Sequence, residues 1–251
     1  MDISEFLSAL EPRATLAVTL GLAVLIYVTF ANLAWATRNP SSTWLGRFFA
    51  WSHRAWLART FKELVRWLYY LALPYATLII GFNTTRALGL AGIDLIDSAI
   101  RIVLLGIGAM AVIIWVWRPY AQIEHPHAVD NSGWNWARHI VELIYQQAHW
   151  AFYRSVPILL LNDFYWGSFI GLGIVFVEAW LNPIVRANMR DVARADAPLW
   201  TGSLAIVSTI IFLYSQNTWG AALIHLLIDL GLRKTIGFPR THAPDEMPPS
   251  D

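Results

Sequence analysis

The chain of 251 residues contains no cysteine. Disulfide bonds, thiolate chemistry and zinc or iron–sulfur sites with cysteine ligands are therefore excluded. Charged residues are also scarce, at 14% of the sequence, whereas 57% of the residues are hydrophobic. Soluble domains carry about 25% charged residues, so this composition is typical of a polytopic membrane protein.

Long polar segments and basic runs are missing too. The segments between apolar runs are short, so no separate soluble domain is predicted. The formal net charge is +1, and no basic run carries interleaved aromatics, so we expect no nucleic-acid partner. The 14 tryptophans are typical of the aromatic belts at membrane interfaces. The expected partners are membrane lipid and other integral membrane proteins.

Apolar runs separated by turn residues predict membrane-spanning helices of about 20 residues. They cover 14–36, 64–82, 98–117, 164–181, 199–214 and 219–232. Pro74 predicts a kink in the second run, and Arg118-Pro119 the end of the third. Segment 43–66, where aromatic and basic residues alternate, predicts an interfacial amphipathic helix. The leader before the first run is acidic, so we expect this span to be retained rather than cleaved as a signal peptide.

Segment 134–161 is the one long helix candidate with a row of polar side chains, which we call the striped helix. At about 100° per residue, the row falls inside a wedge of roughly 100°. Its members are Asn135, Arg138, His139, Glu142, Gln146, His149 and Tyr153. Gln147, Trp150 and Arg154 lie just beyond one edge of the row.

The placement of lysine and arginine indicates that the striped helix also crosses the membrane. With seven spans, only Arg13, Arg86 and Arg101 lie on one side, and the other loop basic residues share the opposite side. We therefore predict an all-α transmembrane bundle of about seven spans over residues 1–232, in an inner or plasma-type membrane. The N-terminus is predicted outside, and residues 233–251 form a polar, disordered cytoplasmic tail.

Ionisable residues inside these spans are expensive to hold in lipid and indicate a functional site or a structural polar network. The candidates are His149, Arg154, Glu178 and the pair His225 and Asp229. His225 and Asp229 are four residues apart on one helix, so the carboxylate can hydrogen-bond the imidazole and fix its tautomer. Four residues therefore form the candidate catalytic set, His149, Arg154, His225 and Asp229. Glu142, Gln146 and Glu178 form the accompanying intramembrane polar cluster.

The last apolar run, TWGAALIHLLIDLGL, resembles the third motif of the CAAX-protease and bacteriocin-processing (CPBP) family of intramembrane proteases. That motif is a histidine followed four residues later by asparagine or aspartate, here His225 and Asp229. Segment 149–154 is similar to the first motif in its Tyr-Arg end, and segment 176–180 is similar to the second in its phenylalanine. The resemblance covers residues 134–232 and implies the fold of this family.

Three side chains of the family pattern are replaced here. The glutamate pair of the first motif, implied to activate water, is His149-Trp150, and the histidine of the second motif is Trp180. His149 can still accept a proton, and we expect Trp150 to offer Arg154 a cation–π face. Glu142 is about 10 Å from the lost pair by helix rise and cannot replace it. Glu178 projects from nearly the opposite face of its helix to Trp180.

Three hypotheses for function follow. The favoured one is a catalytically degenerate CPBP-like protein that acts as a scaffold, assembly factor or accessory subunit of a membrane complex. The second is an active intramembrane endopeptidase of CAAX type, with His149 as base and His225 and Asp229 as stabilisers. The third is a haem- or pigment-binding subunit held by His149 and His225.

The remaining expectations concern metals and cofactors, one ion pair and two glycines. No metal site is predicted, because His125 and His127 lack a third ligand, and no cofactor is expected. Glu142 is expected to pair with Arg138 on its own helix. Gly171 and Gly173 are expected to allow close helix packing.

Overall fold

The structure, a computed structural model, describes residues 12–36, 56–91, 95–123, 135–192 and 194–236. All regular secondary structure in these ranges is helical, which confirms the all-α class. Most of the segment predicted as an interfacial helix, the His125–His127 loop and residues 237–251 of the predicted tail lie outside the described residues.

Nine α-helices and one π-helical segment make up the described chain. They are α1 (Pro12–Ala36), α2 (Trp56–Trp67), the π-helical segment Leu68–Ala72, α3 (Leu73–Ile79), α4 (Leu95–Ile123), α5 (Asn135–Leu161), α6 (Phe164–Leu181), α7 (Pro183–Met189), α8 (Asp196–Ser215) and α9 (Thr218–Ile236). Helix α5 is the striped helix of the sequence.

Four helices in the described residues are long and apolar enough to cross a membrane, which is compatible with a membrane protein. They cover Arg13–Ala36, Ile96–Pro119, Phe164–Leu181 and Asp196–Ser215. Thr218–Gly231 is a shorter apolar helix. Helix α5 has the necessary length, with 27 residues, but its polar side chains keep it outside this group. Four of the seven predicted spans are therefore supported by length and composition.

Four predicted boundaries were wrong. Helix α4 continues through Pro119 to Ile123; a proline removes one hydrogen bond and crowds the carbonyl four residues earlier, which weakens a helix near its end but does not stop this one. Helix α9 continues to Ile236, so residues 233–236 of the predicted tail are helical. The second predicted span begins within α2, which continues into the π-helical segment and α3 as one rod from Trp56 to Ile79. The arginine-containing loop after α6 contains the short helix α7.

Side-chain contacts define the two ends of the bundle. At one end, the basic end, His139 near the start of α5 and Trp200 near the start of α8 both contact Asp229 in the last part of α9. At the opposite end, the loop end, Asn83 in the loop after α3 donates to Ser155 in the second half of α5. The same loop receives a hydrogen bond from Thr218 at the start of α9.

Helix α5 is the centre of the bundle, and residues 151–158 are all buried. Its tightest neighbour is α6, which approaches through Gly167 and Gly171. A Cβ atom added to Gly171 would lie 2.6 Å from Arg154 Cα and 2.8 Å from the carbonyl oxygen of Tyr153. Small residues four apart on one helix allow such close backbone contact. The expectation for Gly171 is confirmed, and that for Gly173 was wrong, because a Cβ atom added to Gly173 would meet no described atom of another element within 4 Å.

Candidate functional site

A buried imidazole–carboxylate pair joins α5 to α6. His149 Nε2 lies 3.0 Å from Glu178 Oε1 and 3.2 Å from Oε2. Both side chains are buried. An imidazole next to a carboxylate is held in one orientation and, where substrate can reach it, can act as a general base. The structure therefore brings one candidate catalytic residue together with one member of the predicted polar cluster.

Four tyrosines surround this pair, and we call them the tyrosine pocket. The rings of Tyr69, Tyr70 and Tyr153 lie 5.5, 5.2 and 4.1 Å from the His149 ring, centroid to centroid, and Tyr27 lies at 6.4 Å. The Tyr69 hydroxyl donates to the Ala23 carbonyl and lies 3.2 Å from the Tyr153 hydroxyl. The pocket is thus a hydrogen-bonded lining contributed by α1, the π-helical segment and α5.

The π-helical segment explains how two consecutive tyrosines reach one imidazole. Leu73 N–H bonds to the carbonyl of Leu68, five residues earlier. Such a turn holds one residue more than an α-helical turn and is frequent at functional sites. The π-helical segment ends two residues before Pro74, the position of the predicted kink. Tyr69 and Tyr70 both contact His149 as a result.

A second polar group, the polar chain, lies on a different side of α5. Arg154 Nη1 donates to Ser208 Oγ at 3.2 Å, Ser208 donates to Gln147 Oε1 at 2.9 Å, and Gln147 Nε2 lies 2.7 Å from His225 Nδ1. A guanidinium can only donate, so Ser208 Oγ accepts from Arg154 and donates in turn to Gln147.

Arg154 is the largest fully buried side chain among the described residues, at 1% exposure. Its guanidinium carbon lies 4.5 Å from the centre of the Phe212 ring. An unpaired ion in the protein interior costs several kcal/mol, and a cation–π contact returns about 2 kcal/mol when desolvated. Phe212 therefore compensates only part of the cost of burying this charge.

Trp150 does not take the role expected for it. Its ring stacks on His225, with centroids 5.5 Å apart and an interplanar angle of 9°. Phe212 supplies the aromatic face for Arg154 instead. The neighbouring helices decide this: the Trp150 ring packs on His225 of α9, whereas Arg154 reaches Phe212 and Ser208 of α8.

The remaining predicted residues lie nearer the basic end. Asp229 contacts His139 and accepts a hydrogen bond from Trp200 Nε1 at 2.8 Å. Glu142 pairs with Arg66 of α2, so the expected partner Arg138 is replaced by an arginine from another helix. Gln146 is half-buried in the same row.

The contacts of His149 and His225 place them on different sides of α5. His149 faces α6 and the tyrosine pocket, and His225 faces Gln147 and Trp150. At about 100° per residue, the directions of positions 147 and 150 lie about 160° and 100° from that of position 149. The two histidines therefore do not share the pocket expected for a catalytic centre or a bis-histidine haem site.

Several residues in these clusters were not selected from the sequence. They are Tyr27, Tyr69, Tyr70, Gln147 and Ser208, together with His139, for which no role was expected. Gln147 adjoined the predicted polar row, and Tyr69-Tyr70 is a visible doublet, but nothing in their spacing identified the partners. Trp180, which takes the place of the second-motif histidine, is 64% exposed, whereas Glu178 takes the inward face.

In the described part of the chain, no group of three or more histidine, cysteine, aspartate or glutamate side chains is arranged to hold a metal ion. The two clusters instead consist of hydrogen-bonded side chains from neighbouring helices. No family model matches the chain, and neither a curated protein nor a solved structure shows a significant match to it.

Proposed function

We propose that the protein is a seven-span, CPBP-like membrane protein that works by binding other membrane components rather than by cleaving peptide bonds. The observation that carries the proposal is the occupation of its polar groups by its own side chains. Glu178 and tyrosine rings contact His149, and Gln147 and Trp150 contact His225. Asp229 contacts His139 and Trp200. None of the three is presented to a substrate in these contacts.

The directions of the helices between the basic end and the loop end support seven spans. Helix α5 runs from the basic end to the loop end, α6 returns, α8 runs like α5, and α9 runs back. Arg101 near the start of α4 donates to the carbonyl of Tyr214 near the end of α8, so α4 starts at the loop end. The rod runs from Arg66, paired with Glu142 at the basic end, to the loop containing Asn83.

The charge distribution supports a cytoplasmic basic end. Lys62, Arg66, Arg118, Arg138, Arg186, Arg190 and Arg194 belong to that end by helix direction, and Arg13, Arg86 and Arg101 belong to the loop end. Positive residues are concentrated on the cytoplasmic side of helical membrane proteins. The N-terminus is then outside and the C-terminus in the cytoplasm, as in the sequence-based topology.

The exposed side of the rod is the surface we assign to a protein partner. Phe61, Leu64 and Leu68 are all exposed and recur at helical spacing, while Arg66 turns inward to Glu142. A stripe of this kind near the basic end fits an apolar helix of another integral membrane protein. The proposed role as a scaffold or accessory subunit depends on this surface.

Photo-crosslinking in the native membrane tests the binding role. A photoreactive residue at Leu64 should give one discrete protein adduct, and the same residue at Val103, an exposed position on α4, should give lipid adducts alone. Diffuse labelling at both positions would contradict the proposal. Matched exposure of the two sites keeps reactivity comparable.

The endopeptidase is the alternative that one observation favours, because His149 and Glu178 form a possible general-base pair. Full-length protein in proteoliposomes is incubated with transmembrane and prenylated peptides, and fragments are identified by mass spectrometry. We expect no product beyond that of Glu178→Gln. Cleavage by the unmodified chain that disappears in both Glu178→Gln and His149→Ala would replace the binding proposal with the endopeptidase.

A further inference from the structure

The unusual feature of Arg154 is which of its nitrogens lack partners. Among the residues that the structure describes, Arg154 Nε and Nη2 are buried and have no hydrogen-bond acceptor. Nη1 is the nitrogen that reaches Ser208. Nε and Nη2 point from the same edge of the guanidinium and form the fork that binds a carboxylate or phosphate through two parallel hydrogen bonds.

The groups around Arg154 provide no compensating negative charge. Ser208, Gln147 and His225, the other members of the polar chain, carry no negative charge. Phe212 covers one face of the guanidinium. The described surroundings therefore anchor Arg154 at one nitrogen, hold its plane and leave the two nitrogens of the fork without an acceptor.

Helix α6 contributes the backbone wall beside this arginine. A Cβ atom on Gly171 would lie 2.9 Å from Arg154 Cγ and 2.6 Å from its Cα. A glycine at this position allows α6 to lie directly against the stem of Arg154, so the side chain is held from the stem to Nη1. A fixed guanidinium loses little freedom when it binds an anion, which favours binding.

We infer that Arg154 forms a binding site for an oxyanion that presents two oxygen atoms on one edge, a carboxylate or a phosphate. The anion accepts from Nε and Nη2 and neutralises the charge of the polar chain. Arg154 lies seven residues before the end of α5, about 10 Å by helix rise from the loop end. The oxyanion can be a small solute or the charged group of a lipid, since both present the same oxygens.

Thermal unfolding of the full-length chain tests the site. The protein is purified in an uncharged detergent, and unfolding is followed by tryptophan fluorescence in sodium acetate, sodium phosphate or sodium chloride of equal ionic strength. A second arm uses phosphatidylcholine nanodiscs with or without oleate or phosphatidic acid. We expect a rise of several degrees over chloride or over pure phosphatidylcholine. A response to acetate or phosphate identifies a solute, and a response in the lipid arm alone identifies a lipid.

Variants locate the response. Arg154→Met should abolish it, and Arg154→Lys, which keeps the charge without the fork, should weaken binding about tenfold through loss of one hydrogen bond. Arg101→Met, a change at an exposed arginine paired with Asp97, should respond like the unmodified chain. A response that persists in Arg154→Met, or one that chloride reproduces in full, would overturn the inference.

A measurement on the unmodified chain covers the case in which the Arg154 variants fail to fold. Arginine labelled with ¹⁵N at Nε is incorporated, and the Nε–H resonances are recorded while acetate or phosphatidic acid is added. One solvent-protected resonance should move to the position of a strongly hydrogen-bonded guanidinium. If no protected resonance moves with either probe, the site does not exist.

Discussion

The two sides of helix α5 hold their polar groups in opposite ways. On the side of the tyrosine pocket, His149 meets the carboxylate of Glu178 within 3.0 Å and is enclosed by phenol rings. On the side of the polar chain, Arg154 reaches only the neutral Ser208 in the described residues and keeps two donors unused. One side is complete within the chain and the other carries an unbalanced charge.

This difference separates structural polarity from polarity available for binding. A pair such as His149 and Glu178 satisfies both partners, so removing either leaves a buried group without its acceptor or donor. A buried guanidinium without a counter-charge already destabilises the folded state, so its removal should raise the free energy of unfolding. Although both sides are buried, substitutions on them should therefore change the free energy of unfolding in opposite directions.

The largest expected effect is on the complete side. Glu178→Ala should lower the free energy of unfolding by about 3–5 kcal/mol, because it breaks a buried pair. Glu178→Gln keeps an acceptor for His149 and should cost about 1–3 kcal/mol. Denaturant titration in detergent micelles measures both values. Equal losses for the two variants would show that the carboxylate is not what His149 requires.

The next effect concerns the wall behind Arg154. Gly171→Ala should destabilise the protein by about 3 kcal/mol, because the added methyl group meets the backbone of α5. Gly173→Ala is the matched control, since its Cβ meets nothing described within 4 Å, and should raise stability by about 0.5–1 kcal/mol through helix propensity. The same titration compares them. A stable Gly171→Ala would mean that α6 does not lie against α5 as closely as this contact requires.

Removal of the unbalanced charge should have the opposite sign. In buffer without carboxylate or phosphate, Arg154→Met should raise the free energy of unfolding by about 1–2 kcal/mol, because a buried ion is replaced by an apolar chain of similar length. Unfolding curves of the two proteins in chloride buffer provide the measurement. A loss comparable to that of Glu178→Ala would show that Arg154 is compensated within the chain, and the contrast between the two sides would disappear.

The smallest effect tests the lining of the complete side. Tyr69→Phe removes the hydroxyl that bonds to the Ala23 carbonyl and meets Tyr153. We expect a loss of about 1 kcal/mol, at about 0.5 kcal/mol for each of the two hydrogen bonds. Tyr75→Phe is the control, because Tyr75 is exposed on the same rod, and should leave stability within about 0.5 kcal/mol of the unmodified chain. Comparable losses of stability for the two variants would show that the Tyr69 hydroxyl does not stabilise the tyrosine pocket.

The sequence predicted where the helices lie along the chain, but not which side chains contact each other between helices. Apolar runs and the 3.6-residue period located the helices and the polar row of α5, because those patterns depend on local geometry. His139 and Asp229 are 90 positions apart, and Gln147 and His225 are 78 apart. Such pairs depend on which helices become neighbours, which periodicity does not determine. The polar residues beyond the edge of the row, Gln147 and Arg154, proved to form a second row with its own partners.

The π-helical segment Leu68–Ala72 has a consequence for sequence length. A π turn accommodates one surplus residue while the helix on either side keeps its phase. Deletion of a single residue there would leave Arg66 facing Glu142 and Thr77 facing inward, but it would offer His149 one phenol in place of two. The surplus residue of the π turn therefore lets the chain place a second phenol beside His149.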